Sequence, residues 1–313
     1  MDLIIIIFTC ICALLITYII KCFNTLNNAK KKSKKNMEPH LLEDCRKWHI
    51  PKTDWWIYGF SKSANKTGFA IFSLKIFFDA GLPSKKKPNI VLLTHSHRDH
   101  SFNIPTIAMD NTERRVVYCP NEMVNPLKLL CRAFKSLDNC TELIDKEQVN
   151  AIGVHPNIII DYNKIKIKVI KCYHTVPTIG FSIITQKNVL KDEYKNITGK
   201  ELGKLKKSRV EVTKIVDVIK FIFLGDTTIE VFKDPYILLS PVIFVECTII
   251  DDQVSPEKTQ KRGHIHLNQL LPIIIENKQT FFVLIHLSKR YKRNYIDSFF
   301  KDILLENENM MVW

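Results

Sequence analysis

Short apolar runs recur along the chain, and several of them end on a histidine or a carboxylate. "NIVLL" (89–93) leads into Thr94-His95, and "VIKFIFLG" (218–225) leads into Asp226. "VIFVE" (242–246) closes on Glu246, and "TFFVLI" (280–285) leads into His286. "KIKIKVIKCY" (164–173) alternates apolar and polar positions, as a half-buried strand does, and leads into His174. Their Ile, Val and Phe content and their period predict strands. Between the last two runs, "LNQLLPIIIENK" (267–278) predicts a helix with Pro272 in its first turns. The pattern predicts an α/β layered domain with polar groups gathered at strand ends, where such proteins build their sites. After about residue 37 no internal repeat and no second linker is visible in the sequence.

The N-terminus follows a different pattern. "LIIIIFTCICALLITYII" (3–20) carries no charge, and as a helix it would span about 27 Å, close to the hydrocarbon thickness of a bilayer. It begins Met1-Asp2 and lacks the positive start and small-residue cleavage site of a secretory signal. The lysine run "AKKKSKK" (29–35) follows it. By the positive-inside rule this order predicts a single transmembrane anchor over 1–23, a basic linker over 24–40, and a cytosol-facing domain over 41–313. Binding of the lysines to anionic lipid is a secondary reading.

Charge and cysteine content narrow the classes. The 313 residues carry a formal net charge of +14. Six lysines and one aspartate lie before Asn36, so the remainder still holds +9. A basic globular domain is compatible with a polyanionic partner, nucleic acid or an anionic surface. The nine cysteines are scattered with no C-x-x-C pair, which excludes a disulfide framework and suits a reducing compartment.

The densest chemistry is in "LLTHSHRDHSFNIP" (92–105), where His95, His97 and His100 flank Asp99. Imidazole nitrogens and carboxylate oxygens are zinc ligands, and catalytic sites keep a position open for water. His95 and His97 can point together from one extended turn, leaving Asp99 and His100 for a second ion. A pair of ions about 3.5–4 Å apart needs further ligands and a bridging carboxylate. The strand-end residues His174, Asp226 and His286 supply them.

"THSHRDH" (94–100) resembles the signature of the metallo-β-lactamase superfamily. The opening stretch 55–81, with its D-x-G turn at Asp79 to Gly81, fits that superfamily. "HTVPTIGF" (174–181), "FLGDTT" (223–228), "VECT" (245–248), "GH" (263–264) and "HLSKRY" (286–291) look like ribonuclease Z, the tRNA 3′-processing endonuclease. The likeness covers roughly residues 55–295. It implies an αββα sandwich of two mixed sheets flanked by helices, and two Zn(2+) ions per chain. His95, His97 and His174 would hold one ion, Asp99, His100 and His286 the other, with Asp226 bridging. Asp99 would also orient the attacking water, His264 would protonate the leaving 3′-oxygen, and Glu246 would support it from behind. Precursor tRNA is the implied substrate and a homodimer the implied assembly.

The chain departs from that pattern in three places. The interval 182–225 has no proline, where bacterial members carry a long Gly/Pro-rich arm. It holds instead "TGKELGKLKKSR" (198–209), readable as a short basic hairpin for phosphates or as a solvated loop. His266 stands where a small hydroxylated residue is usual, yet His264 remains the expected acid because it follows Gly263 at the start of a helix. An anchor is not usual in short enzymes of the family. Two rival readings follow: the same site acting on another RNA or a cyclic nucleotide, and a membrane-tethered, non-catalytic RNA-binding protein. His40, His49 and His155 are read as structural or exposed, Cys172 and Cys247 as packing residues, and Arg290 as either a phosphate contact or a brace.

Overall fold

The computed structural model describes residues 45–109 and 115–313. The predicted anchor, the basic linker and His40 lie outside the described residues. Among those described, no helix is long and apolar enough to cross a membrane. The described residues make up one compact unit.

Two seven-stranded mixed sheets form this unit. The first runs in sequence order: β1 (Arg46–His49), β2 (Trp56–Lys62), β3 (Lys66–Ile71), β4 (Ile76–Phe78), β5 (Ile90–Leu92), β6 (Val116–Pro120) and β7 (Ala151–Val154). The second holds β8 (Ile159–Tyr162), β9 (Ile165–Lys171), β10 (Ile179–Leu190), β11 (Thr213–Phe223), β12 (Val242–Glu246), β13 (Phe281–Ile285) and β14 (Met310–Val312). In both, the first four strands pair antiparallel and the remaining pairs are parallel. The halves thus share a topology, although no repeat is visible in their residues.

Alternation along each strand builds the layers. Phe69, Phe78, Leu92, Phe181, Phe223, Phe244 and Val283 meet in one core between the sheets. Their neighbours face the other way. Phe77, Val91 and Leu93 pack with α2 (Ile104–Ala108) and α3 (Val124–Asn139), which bring Ile107, Leu127 and Cys131. Ile222, Ile243, Val245, Phe282 and Leu284 pack with Leu267, Leu270 and Ile274 of α6 (Leu267–Glu276). Strands covered by the other sheet on one face and by helices on the other are buried on both faces, so they read as continuous apolar runs rather than alternating ones. Helix–sheet–sheet–helix layering is the arrangement the sequence resemblance implied.

The interval 182–225 forms a long ribbon, not only a short hairpin. β9 covers β10 as far as Thr185, and β12 reaches β11 at Ile222 and Phe223. The outer parts of β10 and β11 pair with each other, Gln186 with Asp217 and Leu190 with Thr213. The basic stretch at the tip folds as helix α4 (Gly199–Lys207), started by a capping box between Thr198 and Glu201. None of its residues is buried.

Candidate active site

The site lies where strands of both sheets end. β4 runs into Asp79, β5 into Thr94 and His95, β9 toward His174, β11 into Asp226, β12 ends on Glu246, and β13 leads into His286. The short helix α1 (Arg98–Ser101) brings Asp99 and His100. The β11–β12–β13 parallel register places Phe223 beside Phe244, and Glu246 beside Ile285. Asp226, Glu246 and His286 therefore emerge at one level. Asp79 and His286 adopt left-handed φ of 56° and 63°. Such backbone is uncommon for residues other than glycine and is held by its surroundings.

Seven side chains named from the sequence come together here. His95, His97, His174 and Asp226 form one group of ligand atoms, and Asp99, His100 and His286 another, the atoms of each lying within 4.8 Å of one another. Asp226 touches both: Oδ2 is 3.7 Å from His95 Nε2 and 3.3 Å from His286 Nε2, and Oδ1 is 3.4 Å from His100 Nε2. His97 Nδ1 lies 3.1 Å from His174 Nε2, and His100 Nε2 lies 3.2 Å from His286 Nε2. Two nitrogens each about 2.0–2.1 Å from a shared tetrahedral ion sit roughly 3.3 Å apart.

Hydrogen bonds behind the ligands fix which nitrogen faces inward. His95 Nδ1 donates to Thr94 Oγ1 (2.9 Å), whose hydroxyl donates to Asp79 Oδ1 (2.9 Å). His100 Nδ1 donates to Asp79 Oδ2 (2.8 Å), and His174 Nδ1 to the Gly263 carbonyl (2.7 Å). His286 Nδ1 donates to Thr248 Oγ1 (3.0 Å), whose hydroxyl in turn donates to Glu246 Oε2 (2.6 Å). In all four rings the Nε2 lone pair is left for the centre. His95 Nε2 is buried and has no hydrogen-bond partner, an orphan that a metal ion would satisfy. The donor set and this orphan fit a divalent cation.

The electrostatics point the same way. Burial and the charge of His100 hold His95 well below the usual imidazole range, and burial lowers His97 and His174 as well. At His100 burial opposes charge, yet the Asp226 and Asp79 carboxylates prevail and raise it to about 9. Burial also opposes charge on Asp226, but His286, His100 and His95 keep its pKa far below the usual carboxylate range. Asp99 is lowered too, against burial, by its hydrogen bond with His286 and the charge of His100. The field at this spot favours positive charge, which a metal ion supplies as well as a proton.

Beside the cluster, His264 Nδ1 donates to Glu246 Oε1 (2.7 Å), and it lies 4.0 Å from Asp226 Oδ2. Burial opposes its charge, but Glu246 raises it to about 9. Glu246 is fully buried and also accepts from the main-chain N–H of Thr227 (3.0 Å) and of Ile265 (3.3 Å). His264 does not begin a helix: it lies between α5 (Pro256–Lys261) and α6, which starts at Leu267. The residue that starts it is His266, whose Nδ1 accepts from Asn268 N (3.1 Å) while Nε2 donates to the Asp251 carbonyl (3.1 Å). His266 is thereby a fully buried N-cap, which accounts for an imidazole at that place. Gly263 makes room: its φ is 77°, and a Cβ there would meet His174 Nδ1 at 2.5 Å.

Asp79, Thr94 and Thr248 are the parts that the sequence pattern did not assign to roles. The His49 ring lies 5.2 Å from that of Trp56, tilted by 57°, and His155 is exposed. Cys172 and Cys247 are buried, and burial raises both thiols, Cys172 to about 12. Arg290 is exposed beside Tyr291, whose hydroxyl accepts from Ile250 N (3.3 Å) and ties down the loop after His286.

No family model matches the chain. It is 29% identical to tRNase Z TRZ1 of Arabidopsis thaliana over 244 residues, 75% of this chain and 86% of the relative. The chloroplastic tRNase Z TRZ2 of the same plant is 29% identical over 247 residues, 75% of this chain and 68% of the relative. This chain resembles the tRNase Z proteins. The resemblance read from its motifs is borne out along three quarters of its length. A wheat (Triticum aestivum) nuclear ribonuclease Z is 27% identical over 165 residues, 51% of this chain and 92% of the relative. Among solved structures, short-form human tRNase Z overlays with a TM-score of 0.49 at 14% identity, covering 82% of this chain and 95% of that one.

Proposed function

We propose that the protein is a zinc-dependent phosphodiesterase of the tRNase Z kind, an endonuclease that removes 3′ extensions from precursor tRNA. The observation that carries the reading is the pair of ligand groups joined through Asp226, with Nε2 of four histidines turned inward. Divalent ions in such sites lower the pKa of water and neutralise charge on a phosphoryl group. His95, His97 and His174 would hold one zinc, Asp99, His100 and His286 a second, and Asp226 both. Asp99 accepts the proton of the attacking water and orients it, its Oδ2 being held by Ala64 N (2.8 Å). His264, kept protonated by Glu246, donates a proton to the departing 3′-oxygen. The upstream product then ends in a 3′-hydroxyl.

The likeness to tRNase Z relatives and the basic domain support tRNA over a cyclic nucleotide. An anchor over 3–20 and a homodimer complete the reading as expectations, checked by membrane fractionation and by mass in solution. Turnover of three substrates tests the function: a 3′-extended precursor tRNA, a cyclic nucleotide and bis(p-nitrophenyl) phosphate. Preference for the tRNA upholds it. Turnover of the cyclic nucleotide with the tRNA left intact would keep the chemistry and reject the substrate. Inactivity on all three with zinc bound would favour the RNA-binding rival.

A further inference from the structure

Three residues other than glycine that adopt left-handed φ meet at one ligand group. His286 (63°) is itself a member, Asp79 (56°) accepts from His100 Nδ1, and Ala64 (54°) donates its N–H to Asp99 Oδ2 (2.8 Å). Each member of the Asp99, His100 and His286 group is thus strained or bonded to strained backbone, which persists only where the surroundings impose it. His95, His97 and His174 have ordinary backbone, and the left-handed residue that His174 bonds is Gly263, for which that φ carries no steric cost.

Ala64 lies in the turn between β2 and β3 of the first sheet, whereas His286 follows β13 of the second. The end of β2 and this turn reach across to the second sheet. Ser61 Oγ accepts from His286 N (2.9 Å) and shares a hydrogen bond with the hydroxyl of buried Thr67 (3.2 Å). Ser63 N donates to the Leu287 carbonyl (3.0 Å), and Ser63 pairs with Ser288 in an isolated parallel bridge. Ser288 N in turn donates to the Thr248 carbonyl (2.9 Å). Polar ties, more than packing, hold the turn: Ala64, Asn65 and Lys66 are exposed, and Ser61, Lys62, Asn65 and Leu287 border a cavity of about 380 Å³.

We propose that Ser61 and Ala64 are positioning residues for one of two metal ions, the turn holding Asp99 and His286 in register although they come from different sheets. The inference rests on the proposed function, in which those two residues and His100 share an ion. Ser61 fixes the strained main chain of His286 and so the direction of its ring. Ala64 N–H occupies one lone pair of Asp99 Oδ2, and the same oxygen lies 3.3 Å from His286 Nε2, so the carboxylate is turned toward that ring.

The test follows zinc binding step by step, by competition with a chromophoric chelator, in the full chain stripped of metal. Ser61→Ala removes the acceptor for His286 N, and Ala64→Pro removes the donor to Asp99 and forbids the left-handed φ. Each should weaken one of two zinc steps by about 10–100-fold and leave the other unchanged. Ala64→Gly keeps the N–H and suits a φ of 54°, so it should bind as the wild type does. The unfolding midpoint of metal-free Ser61→Ala should stay near that of the wild type, and this variant serves if the proline variant does not fold. Both steps unmoved in Ser61→Ala, or both weakened alike, would overturn the positioning role while leaving the two-ion reading standing. Uptake of fewer than two zinc ions by the wild type would overturn the two-ion reading and this role with it.

Discussion

His95, His100, His174 and His286 each donate the Nδ1 proton to a neighbour, so their affinity for a cation depends on residues that never touch it. Thr248 is the clearest case, since one hydroxyl joins His286 to Glu246. Thr248→Ala should weaken metal binding by about 10–100-fold, measured by competition with a chromophoric chelator. Loss of Asp226 is more severe because both groups share it: Asp226→Ala should lower the zinc content per chain and abolish turnover. As the proposed acid, His264 sets a pH limit. Its ordinary pKa of about 6.5 is raised to about 9 by Glu246, so it is protonated at neutral pH and loses the proton as pH rises through about 9. Activity should fall along that alkaline limb, and Glu246→Gln should move the limb to lower pH. The pairing's contribution to folding runs the same way, present in full below about 6.5 and lost as pH rises through about 9. The ligands were legible in the sequence because His95, His174, Asp226 and His286 each follow an apolar run, and His97, Asp99 and His100 crowd together directly after His95. Thr94 and Thr248 were not, because a threonine beside a strand end is ordinary until the fold shows what it bonds.

The elements differ in how openly the sequence announces them. "VIFVE" is β12 residue for residue, and "LNQLLPIIIENK" contains α6 with Pro272 inside it. Strong periodicity and fixed length decide such segments. The lysine-rich tip was harder, because charge suggests solvent and hides the helix. Thr198 and Glu201, spaced as a capping box, were the signal that a helix begins there. Helix α4 presents Lys200, Lys204, Lys206 and Lys207 on a ribbon that projects past its neighbouring strands. Changing these four to serine should weaken RNA binding and make it less salt-dependent, the log–log slope becoming shallower by roughly three. Stability should barely change, because nothing in the helix is buried. An unchanged slope would mean that the lysines are only solvated surface.

The whole molecule holds the site by clamping two sheets of matching topology on one core. Phe244 is fully buried and meets Phe69, Phe221, Phe223, Trp48 and Trp313 at ring-centroid distances of 5.8–6.2 Å. Phe244→Ala should cost about 3–5 kcal/mol in denaturant unfolding. It should also loosen the β12 end that carries Glu246. Layering was legible from strand composition and the resemblance together, whereas the matched pairing order of the two halves was invisible because it is a repeat of topology without a repeat of residues. As we propose, this sandwich brings metal ligands and an acid together to break the P–O3′ bond of precursor tRNA. End mapping tests it most directly. The zinc-loaded full chain and its Asp226→Ala variant would be incubated with a 3′-extended precursor tRNA, and both product ends identified. One cut at the 3′ end of the mature body is expected, with a 3′-hydroxyl upstream, a 5′-phosphate downstream, and no cut by the variant. A 3′-phosphate upstream, or the same cut by Asp226→Ala, would contradict it.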